Sequence, residues 1–583
     1  MNPKMGYFPG SKAQNMRNVF RLMGENLIDD PQYFCLQAVR KFAKRPQLKR
    51  LEKLRSAPLV SGKFDGLVAL LSEDRTAVAQ YLASQKKQWN RPSKAARLAD
   101  TAIAAQLWDL AAEILDSSPV TKTTAKSKAR LEFSLGNLDE AINLLSSMGN
   151  SKSRQLKHYR SELRVLESWN PVANSKKREW ELNGSTRVLY IATNSLPFTA
   201  SGYTQRTHSL LLALRDEDIE VQAVTRVGYP ISIGHALAES TSIVDGISYH
   251  RLLPAHMQFD AAGRIQQQTQ MLSALVEQLK PTVLHTTTDF TNALAVRAVA
   301  RSYNLPWVYE VRGQLADTWA STRPASASGS QRYRLFQARE AELAASANEV
   351  LTLGQAMRDN LEHSGVSPEK ITVIPNGVGH PFVDEPLSAV DARTALGLDP
   401  HAVYFGTVSS LVAYEGLDTL VRVMAMLANS RPDLYLVIVG DGVEREVLMR
   451  LARELGVGER CIFTGRVSRQ QAAKYHAALD VFAVPRRDLS VTRDVTPLKP
   501  VEAMASAIPV MASKLPALEE LIRDGVDGVL LPPGDVIAWS ETLEKLLVDP
   551  TFRQQLGQSG RKKVLSDRTW AVCSHKLKRI YSR

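Results

Sequence analysis

The sequence predicts two doubly wound α/β domains preceded by an all-helical region. Residues 1–169 show apolar residues at helical spacing and lack the alternation that is typical of strands. After residue 186, short apolar runs of strand length alternate with helical patterns, which indicates βαβ crossovers and buried parallel sheets. This alternation occurs twice, and a segment rich in proline, aspartate and glycine at 381–400 separates the two series.

Each α/β domain is predicted to contain six strands. The first domain is assigned to 186–385, with strands at 187–193, 220–225, 282–285, 307–311, 350–353 and 371–374. The second is assigned to 386–565, with strands at 401–405, 434–439, 461–464, 481–484, 509–512 and 528–531. Ligands of doubly wound sheets bind outside the carboxyl ends of the strands, so we expect the functional site in the cleft between the domains.

The N-terminal region, assigned to 1–169, contains three similar segments at 62–71, 106–115 and 136–145. Each begins with a turn, continues through an aromatic residue or leucine and an aspartate, and ends in an apolar ridge. This pattern resembles the second helix of tetratricopeptide-like repeats, although the spacing between copies is irregular. We expect helical hairpins that serve packing or the binding of a protein partner. The polar stretch 170–185 is the predicted linker to the first α/β domain.

The composition is that of a globular protein, since 44% of the 583 residues are hydrophobic and 23% are charged. The net charge of +13 fits a generally basic surface, and it also fits attraction to phosphate ligands, anionic lipid or nucleic acid. The sequence contains no nucleic-acid-binding motif and no dense block of lysine and arginine, so no nucleic-acid partner is expected.

The three cysteines, Cys35, Cys461 and Cys573, are odd in number and far apart, and neither a disulfide framework nor a CxxC metal site is expected. This usage favours a reducing cytoplasm. No long apolar run and no signal-peptide pattern occur in the sequence, so neither a transmembrane helix nor a secretory leader is expected. A peripheral contact at the inner face of the membrane is left open.

The most informative loops lie in the second α/β domain. Its first strand ends in Gly406 and Thr407 and leads through a serine-bearing loop into a helix, and such a turn offers backbone N–H groups to a phosphate. A later loop contains two carboxylates, Asp494 and Glu502. The same loop contains four cations: Arg486, Arg487, Arg493 and Lys499. Carboxylates in a basic loop can accept hydrogen bonds from sugar hydroxyls while the cations hold phosphates.

Several motifs, taken in order, resemble the retaining glycosyltransferases of family 4, whose two Rossmann-like domains form the GT-B fold. They are Ile-Pro-Asn-Gly-Val at 374–378, Val-Gly-Asp-Gly at 439–442, Phe-Thr-Gly at 463–465, Asp-x7-Glu-Ala-Met-Ala at 494–505 and Pro-Val at 509–510. The resemblance extends over 187–583. It includes a last segment, 566–583, similar to the family's final helix, which crosses back to the first Rossmann-like domain. The motifs Glu-Val-Arg-Gly, Tyr-Glu-Gly-Leu and Thr-Pro-Leu-Lys-Pro resemble one subgroup of this family.

The resemblance implies roles for the later loop. Glu502 is expected to bind the ribose hydroxyls of the donor, with Lys499 and Pro500 beside it in the donor site. Asp494 stands where the family has a glutamate near the donor sugar, and its side chain is one methylene shorter. From the residues alone, Glu502 also fits an ordinary carboxylate at the start of a helix, and Asp494 also fits a solvated loop acid.

Two cations that the family usually places around the donor diphosphate are missing here. Thr407 and Glu415 occupy the positions where arginine or lysine is usual. Arg486 and Lys499 are therefore predicted to replace these cations. Gly406 and Thr407 remain part of the predicted donor site.

In the first α/β domain, Gly202 begins a helix after the first strand and is predicted to let the donor phosphate approach, with Arg206 adding charge. A tight turn with a surface arginine is the alternative. His285 ends a strand where the family commonly has a histidine, and it fits a buried core residue equally well. Arg312, in the Glu-Val-Arg-Gly motif, is predicted to contact donor or acceptor. Asp494, His285 and Arg312 form the predicted catalytic group.

The resemblance implies a metal-independent transfer that retains the anomeric configuration. The donor would be a nucleotide-diphosphate sugar, and the acceptor the hydroxyl of a sugar or a lipid-linked molecule. No cofactor is expected. The acceptor would attack on the face that the diphosphate leaves, while the protein positions the reactants and stabilises the departing charge. The expected role is polysaccharide or glycoconjugate synthesis. The alternative is a non-catalytic scaffold or sugar-nucleotide sensor that acts through residues 1–169.

Overall fold

The computed structural model describes residues 11–29, 75–149, 153–174, 178–182 and 184–582. The predicted repeat copy at 62–71 and Cys35 lie outside these residues. The predicted fold class is confirmed, because two Rossmann-like α/β domains follow a helical region. In the described part of the chain before residue 170, the α-helices are α1 (Lys12–Asp29), α2 (Arg75–Ser84), α3 (Pro92–Ala104), α4 (Trp108–Asp116), α5 (Lys122–Leu135), α6 (Leu138–Ser147) and α7 (Arg154–Glu167).

The two described repeat copies contain the second helices of helical hairpins. Helix α4 packs on α3, and α6 packs on α5. Asp109 and Asp139 lie in the first turns of α4 and α6, where the helix dipole favours a negative charge. Ala111 and Ala141 are fully buried, and their small side chains let neighbouring helices approach. Membership of these hairpins in the tetratricopeptide-like class stays a prediction.

The helical region packs directly on the first α/β domain. Asn18 of α1 donates through Nδ2 to the carbonyl oxygen of Pro254 at 2.9 Å. Gly136 ends α5 with a left-handed φ of +93°, and a Cβ at this position would overlap with the Ser330 side chain. The close approach of this turn therefore requires glycine for both conformation and space.

The first α/β domain contains a sheet of eight strands in the described residues, in the order β3-β4-β2-β1-β5-β6-β7-β8. Its neighbouring strands are parallel except β3 and β4. The strands are β1 (Arg187–Ala192), β2 (Glu220–Thr225), β3 (Thr241–Val244), β4 (Ile247–Arg251), β5 (Val283–Thr287), β6 (Trp307–Val311), β7 (Glu349–Thr352) and β8 (Ile371–Val373).

The sequence prediction omits the hairpin formed by β3 and β4. Its two strands pair in antiparallel fashion around Asp245 and Gly246, whose φ angles are +48° and +84°. An Asp-Gly pair between two apolar strand patterns is the local signal for such a turn, and it is present in the sequence. A pattern of strand–helix–strand crossovers does not include such a hairpin. The hairpin extends the sheet beyond β2.

The second α/β domain contains a wholly parallel sheet of six strands in the described residues, in the order β11-β10-β9-β12-β13-β14. Each predicted strand of this domain overlaps an observed one. The strands are β9 (Val403–Val408), β10 (Leu434–Val439), β11 (Cys461–Gly465), β12 (Val481–Val484), β13 (Val510–Ser513) and β14 (Val529–Leu531).

Helices cover both faces of the two sheets. Those of the first domain are α8 (Gly202–Arg215), α9 (Ala261–Leu279), α10 (Phe290–Tyr303), α11 (Leu315–Ala320), α12 (Gln331–Ser346) and α13 (Gln355–His363). Those that follow are α14 (Ala389–Leu396), α15 (Asp418–Leu427), α16 (Arg445–Glu454), α17 (Arg469–Ala478), α18 (Ser490–Asp494), α19 (Lys499–Ala505), α20 (Pro516–Glu519), α21 (Val536–Val548), α22 (Pro550–Asp567) and α23 (Trp570–Tyr581).

The last helix, α23, packs on the first α/β domain although it follows the second in sequence. Its buried side chains Trp570, Cys573 and Leu577 join a core with Tyr190 of β1 and Leu210 of α8. Two chain crossings therefore connect the domains, one near residue 380 and one at the start of α23.

The strand order of each sheet reverses at one point. In the first sheet this point lies between β1 and β5, and in the second it lies between β9 and β12. The loops after these strands diverge to opposite faces of the sheet and leave a crevice, which is where doubly wound folds bind ligands. The loops 193–201 and 409–417, and the longer loop from 485 to 498, border these two crevices.

Candidate active site in the interdomain cleft

Polar contacts join the two α/β domains along the cleft. The carboxylate of Glu520, in the second domain, accepts hydrogen bonds from the backbone N–H groups of Gln355 (2.7 Å) and Ala356 (2.5 Å) at the start of α13. Asn376 of the first domain donates to the carbonyl oxygen of Thr496 at 2.8 Å. The loop that precedes α19 is therefore held against the first domain.

Glu502 lies in the first turn of α19, and its side chain is 3% exposed. Pro500 fits the start of this helix, where an N–H group has no helical partner. Lys499 Nζ lies 3.1 Å from Glu502 Oε2, and His476 Nε2 lies 3.9 Å away. Burial alone would raise the pKa of Glu502, but the charges of Lys499 and Arg469 outweigh it and hold this pKa below its ordinary value. The carboxylate is buried, ionised and able to accept strong hydrogen bonds.

Asp494 ends α18 and faces the first domain. Its Oδ2 accepts hydrogen bonds from Gln314 Nε2 at 3.0 Å and Asn360 Nδ2 at 3.3 Å. Burial and, to a smaller extent, the nearby carboxylate of Asp317 raise the pKa of Asp494 to about 6. The residue therefore bridges the two walls of the cleft, and its role in the reaction stays a prediction.

The four cations of this loop, of which Arg486 and Lys499 are predicted to bind the donor phosphates, each pair with a carboxylate. The pairs are Arg486 with Glu415 (3.0 Å), Arg487 with Asp418 (3.0 Å), Arg493 with Asp488 (2.5 Å) and Lys499 with Glu502 (3.1 Å). The first pair is buried, with 6% of the Arg486 side chain and 13% of the Glu415 side chain exposed. Arg487 and Arg493 are at least half exposed.

Gly406 and Thr407 lie inside β9 rather than in the loop that follows it. A Cβ at Gly406 would overlap with the carbonyl oxygen of Val437 on the neighbouring strand β10, so glycine is needed here for close strand packing. Thr407 is 2% exposed. Their predicted donor contacts stay predictions, and the structure gives both residues a packing role.

Gly202 is the first residue of α8, beside the crevice of the first sheet. Ser201 caps this helix, since its Oγ accepts from the N–H of Thr204 and the Thr204 hydroxyl accepts from the N–H of Ser201. A Cβ at Gly202 would meet no atom within 4 Å, and the neighbouring Tyr203 is 49% exposed. The helix end is thus open toward the cleft, as the predicted phosphate contact requires.

The structure buries Arg206 and Arg312, which were predicted to face donor or acceptor, against the carboxylate of Glu310. Arg206 Nη2 lies 2.7 Å from Glu310 Oε1, and Arg312 Nη2 lies 2.6 Å from Oε2. Tyr190 donates to the same Oε2 at 2.7 Å. Burial alone would raise the pKa of Glu310, but Arg312 and Arg206 outweigh it and hold this pKa well below its ordinary range.

Arg206 also anchors the end of β8, because its Nη1 donates to the carbonyl oxygen of Pro375 at 2.7 Å and its Nη2 to that of Ile374 at 2.8 Å. His285 is fully buried, with Nδ1 2.5 Å from Tyr581 Oη and Nε2 3.5 Å from the Glu310 carboxylate. Burial lowers the pKa of His285, so its ring is neutral. The ligand contacts predicted for Arg206, His285 and Arg312 stay predictions. In the structure, these side chains pack around the Glu310 carboxylate and stabilise the first domain.

Sequence reasoning missed the central position of Glu310 and the interdomain contact of Glu520. A local signal exists for Glu310, because it stands two residues before Arg312 and alternate residues of a strand share one face. Glu520 has no such signal, since its partners lie about 165 residues earlier in the chain. Among the described residues, no group of three or more histidine, cysteine, aspartate or glutamate side chains is placed to hold a metal ion.

Two family models match the chain, one on each wall of the cleft. The model described as "Glycosyl transferase 4-like domain" matches residues 201–377, and the one described as "Glycosyl transferases group 1" matches residues 391–563. The chain therefore carries glycosyltransferase domains of these two types in a GT-B arrangement. No helix in the described ranges is long and apolar enough to cross a membrane.

Curated relatives share part of this chain. It is 33% identical over 203 residues to a GDP-mannose-dependent α-(1-6)-phosphatidylinositol monomannoside mannosyltransferase of Mycolicibacterium smegmatis, which covers 34% of this chain and 53% of the relative. It is 28% identical over 240 residues to a D-inositol 3-phosphate glycosyltransferase of Corynebacterium diphtheriae, and this match covers 40% of this chain and 55% of the relative. The chain spans about half the length of these relatives.

Solved structures share the fold at low sequence identity. Sucrose-phosphate synthase of Thermosynechococcus elongatus superposes with a TM-score of 0.57 and 20% identity, over 68% of this chain and 98% of that one. Anabaena HepE in complex with UDP superposes with a TM-score of 0.53 and 17% identity, over 68% of this chain and 100% of HepE.

Proposed function

We propose that this protein is a retaining glycosyltransferase that moves a sugar from a nucleotide-diphosphate sugar to an acceptor hydroxyl in the interdomain cleft. The two matching domain families support glycosyl transfer. The observation that carries the proposal is Glu502, a buried carboxylate kept ionised beside the crevice of the second sheet. Such a group can accept hydrogen bonds from both hydroxyls of a ribose, each worth about 1.5–3 kcal/mol.

The proposed reaction proceeds by attack on the face that the diphosphate leaves. Glu502 holds the ribose, while Lys499, Arg486 and the open start of α8 at Gly202 stabilise the phosphates. Asp494 holds the donor sugar between the two domains. The acceptor hydroxyl gives its proton to the leaving phosphate oxygen, and closure of the cleft limits hydrolysis. The proposed transfer uses neither a metal nor a cofactor.

The names of the relatives guide the choice of substrates. One relative is named as dependent on GDP-mannose and as acting on a phosphatidylinositol monomannoside. A structural relative was solved with UDP. We therefore propose a GDP- or UDP-linked donor and a sugar or lipid-linked acceptor in glycoconjugate or polysaccharide synthesis. The helical region is proposed to bind a protein partner, and the protein to work at the inner face of the membrane.

The test is nucleotide release from a panel of GDP-, UDP- and ADP-sugars, with and without sugar acceptors, followed by NMR of the product. We expect one donor to release nucleotide faster when an acceptor is present, and a product whose anomeric configuration equals that of the donor. An inverted product would overturn the retaining assignment. Nucleotide binding without release or transfer would favour the scaffold or sensor alternative.

A further inference from the structure

A buried ion pair lies where the two loops of the second sheet's crevice meet. Arg486 follows β12 and Glu415 follows β9, and these two strands flank the point at which strand order reverses. Arg486 Nη2 lies 3.0 Å from Glu415 Oε1, and Nε lies 3.3 Å from each oxygen of the same carboxylate. The third nitrogen, Nη1, donates to the carbonyl oxygen of Val495 at 2.7 Å.

The two loops are in backbone contact around this pair. Gly416 has a left-handed φ of +66°, and a Cβ there would overlap with the carbonyl oxygen of Pro485. The N–H of Arg487 donates to the carbonyl oxygen of Tyr414 at 3.0 Å. These backbone contacts hold the two loops together on either side of the ion pair.

The pair faces the first domain across the cleft. Arg486 binds the carbonyl oxygen of Val495, and both Val495 and the hydroxyl of Tyr203 lie against Gly313 of the first domain. A Cβ at Gly313 would come within 2.7 Å of Tyr203 Oη and 3.9 Å of Val495 Cγ2. Tyr203 follows Gly202 at the open start of α8. The groups proposed to receive the donor phosphates from the two domains thus surround one part of the cleft.

The carboxylate of Glu415 opposes the binding of a diphosphate at this place. Its three contacts with Arg486 engage two nitrogens, Nε and Nη2, which would otherwise donate to phosphate oxygens, and its negative charge repels a diphosphate directly. While Arg486 keeps these contacts, each of its three nitrogens has a protein partner, because Nη1 donates to the carbonyl oxygen of Val495. Fewer of its five N–H groups are then available to a diphosphate.

We propose that Arg486 exchanges partners, pairing with Glu415 in the donor-free protein and with the diphosphate of a nucleoside diphosphate when that ligand binds. Arg486 is then a donor-binding residue, and Glu415 is a positioning residue that lowers the affinity for diphosphate and keeps the buried arginine paired between turnovers. This inference rests on the proposed function, because it assumes that a nucleoside diphosphate enters this crevice.

The neighbouring cations do not show the same arrangement. Arg487 and Arg493 pair with carboxylates on the surface, where solvent weakens the interaction. Lys499 pairs with Glu502, the proposed ribose anchor, and its side chain is 35% exposed. Among these four cations of the loop, Arg486 is the one that is both buried and paired at the reversal point.

Isothermal titration calorimetry of the full chain with GDP, UDP and ADP tests whether Arg486 exchanges Glu415 for a diphosphate. The variants are Glu415→Gln, the double variant Glu415→Gln/Arg486→Gln, and the control Asp418→Asn, which removes the carboxylate of a more exposed pair at the start of α15. The double variant leaves no unpaired buried charge, so it is expected to fold. Thermal melting checks each variant.

We expect Glu415→Gln to bind the preferred diphosphate about tenfold more tightly and Asp418→Asn to bind it within twofold of the unmodified chain. The double variant is expected to bind it about tenfold more weakly. The matching nucleoside, which has no phosphate, should bind all four proteins with equal affinity. A loop distortion would change the affinities for nucleoside and diphosphate together.

Unchanged or weaker binding of the diphosphate by Glu415→Gln would overturn the exchange, as would unaltered binding by the double variant. If none of the three diphosphates binds even the unmodified chain, the proposed function fails rather than the exchange alone. The two failures are therefore distinguishable.

Discussion

Replacing Glu310 with glutamine should destabilise the first α/β domain strongly, because this carboxylate balances two buried arginines. Its side chain is fully buried, and Arg206 and Arg312 are 3% and 1% exposed. Removing one partner of a buried ion pair costs about 3–5 kcal/mol, since the other charge is left buried without compensation. For a domain of this size, that corresponds to a fall in melting temperature of about 6–20 °C.

The assay is urea denaturation of Glu310→Gln beside Glu220→Gln, an exposed carboxylate at the start of β2. The control is expected to change the free energy of unfolding by less than about 0.5 kcal/mol. The pH dependence gives a second check. A depressed pKa stabilises the fold at pH values above the ordinary carboxyl value of 4.5, and this contribution is lost as the pH falls through the folded-state pKa. If Glu310→Gln matches its control at pH 7, the structural role given to Arg206 and Arg312 is wrong.

Three further perturbations test the cleft. Asp494→Asn should raise the free energy of unfolding at pH 8 by about 1 kcal/mol, a value discounted for the solvent screening of a half-exposed group, and should leave it almost unchanged at about pH 3. The sign follows because the fold raises the pKa of Asp494 from 3.8 to about 6, so the cost of ionising this carboxyl appears as the pH rises above 3.8 and is complete above about 6; equal effects at both pH values would contradict it. Gly354→Ala should lower kcat/KM, and it should lower the free energy of unfolding by about 1–3 kcal/mol, because a Cβ at residue 354 would overlap with the Glu520 carboxylate that caps α13. The control is Gly329→Ala, because a Cβ at residue 329 would meet no atom within 4 Å. Equal melting temperatures of the two variants would contradict the predicted clash at Gly354. Lys499→Met should weaken binding of a nucleoside diphosphate about tenfold, and more at pH 6 than at pH 8, because Glu502 loses the cation that holds its pKa down; titration at the two pH values checks this.

Much of the fold can be predicted from local patterns. A buried parallel strand is a short apolar run between turn residues, and runs such as those at 434–439 and 481–484 lie within one or two residues of their predicted positions. The hairpin of β3 and β4 shows the limit of that approach. Its signal, Asp245 and Gly246, is local and readable, but a search for crossovers passes over a strand pair joined by a two-residue turn.

The site is less accessible to sequence reasoning, because its properties depend on pairs distant in the chain. Motif spacing indicates the loop that contains Asp494 and Glu502. It does not indicate that Arg486 meets Glu415, 71 residues away, or that Arg206 meets Glu310, 104 residues away. A charged residue in a motif therefore predicts a place in the cleft, while the tertiary structure decides whether its charge faces a ligand or another side chain.

The central claim is that Glu502 anchors the ribose of a nucleotide donor, and one titration tests it most directly. The preferred nucleoside diphosphate and its 2′,3′-dideoxy analogue are titrated into the unmodified chain, into Glu502→Gln and into the surface control Glu459→Gln. We expect the unmodified chain and the control to prefer the ribonucleotide at least tenfold, as hydrogen bonds of about 1.5–3 kcal/mol to a carboxylate require, and Glu502→Gln to lose most of this preference. Equal preference for the ribonucleotide in all three proteins would show that Glu502 does not bind the ribose hydroxyls.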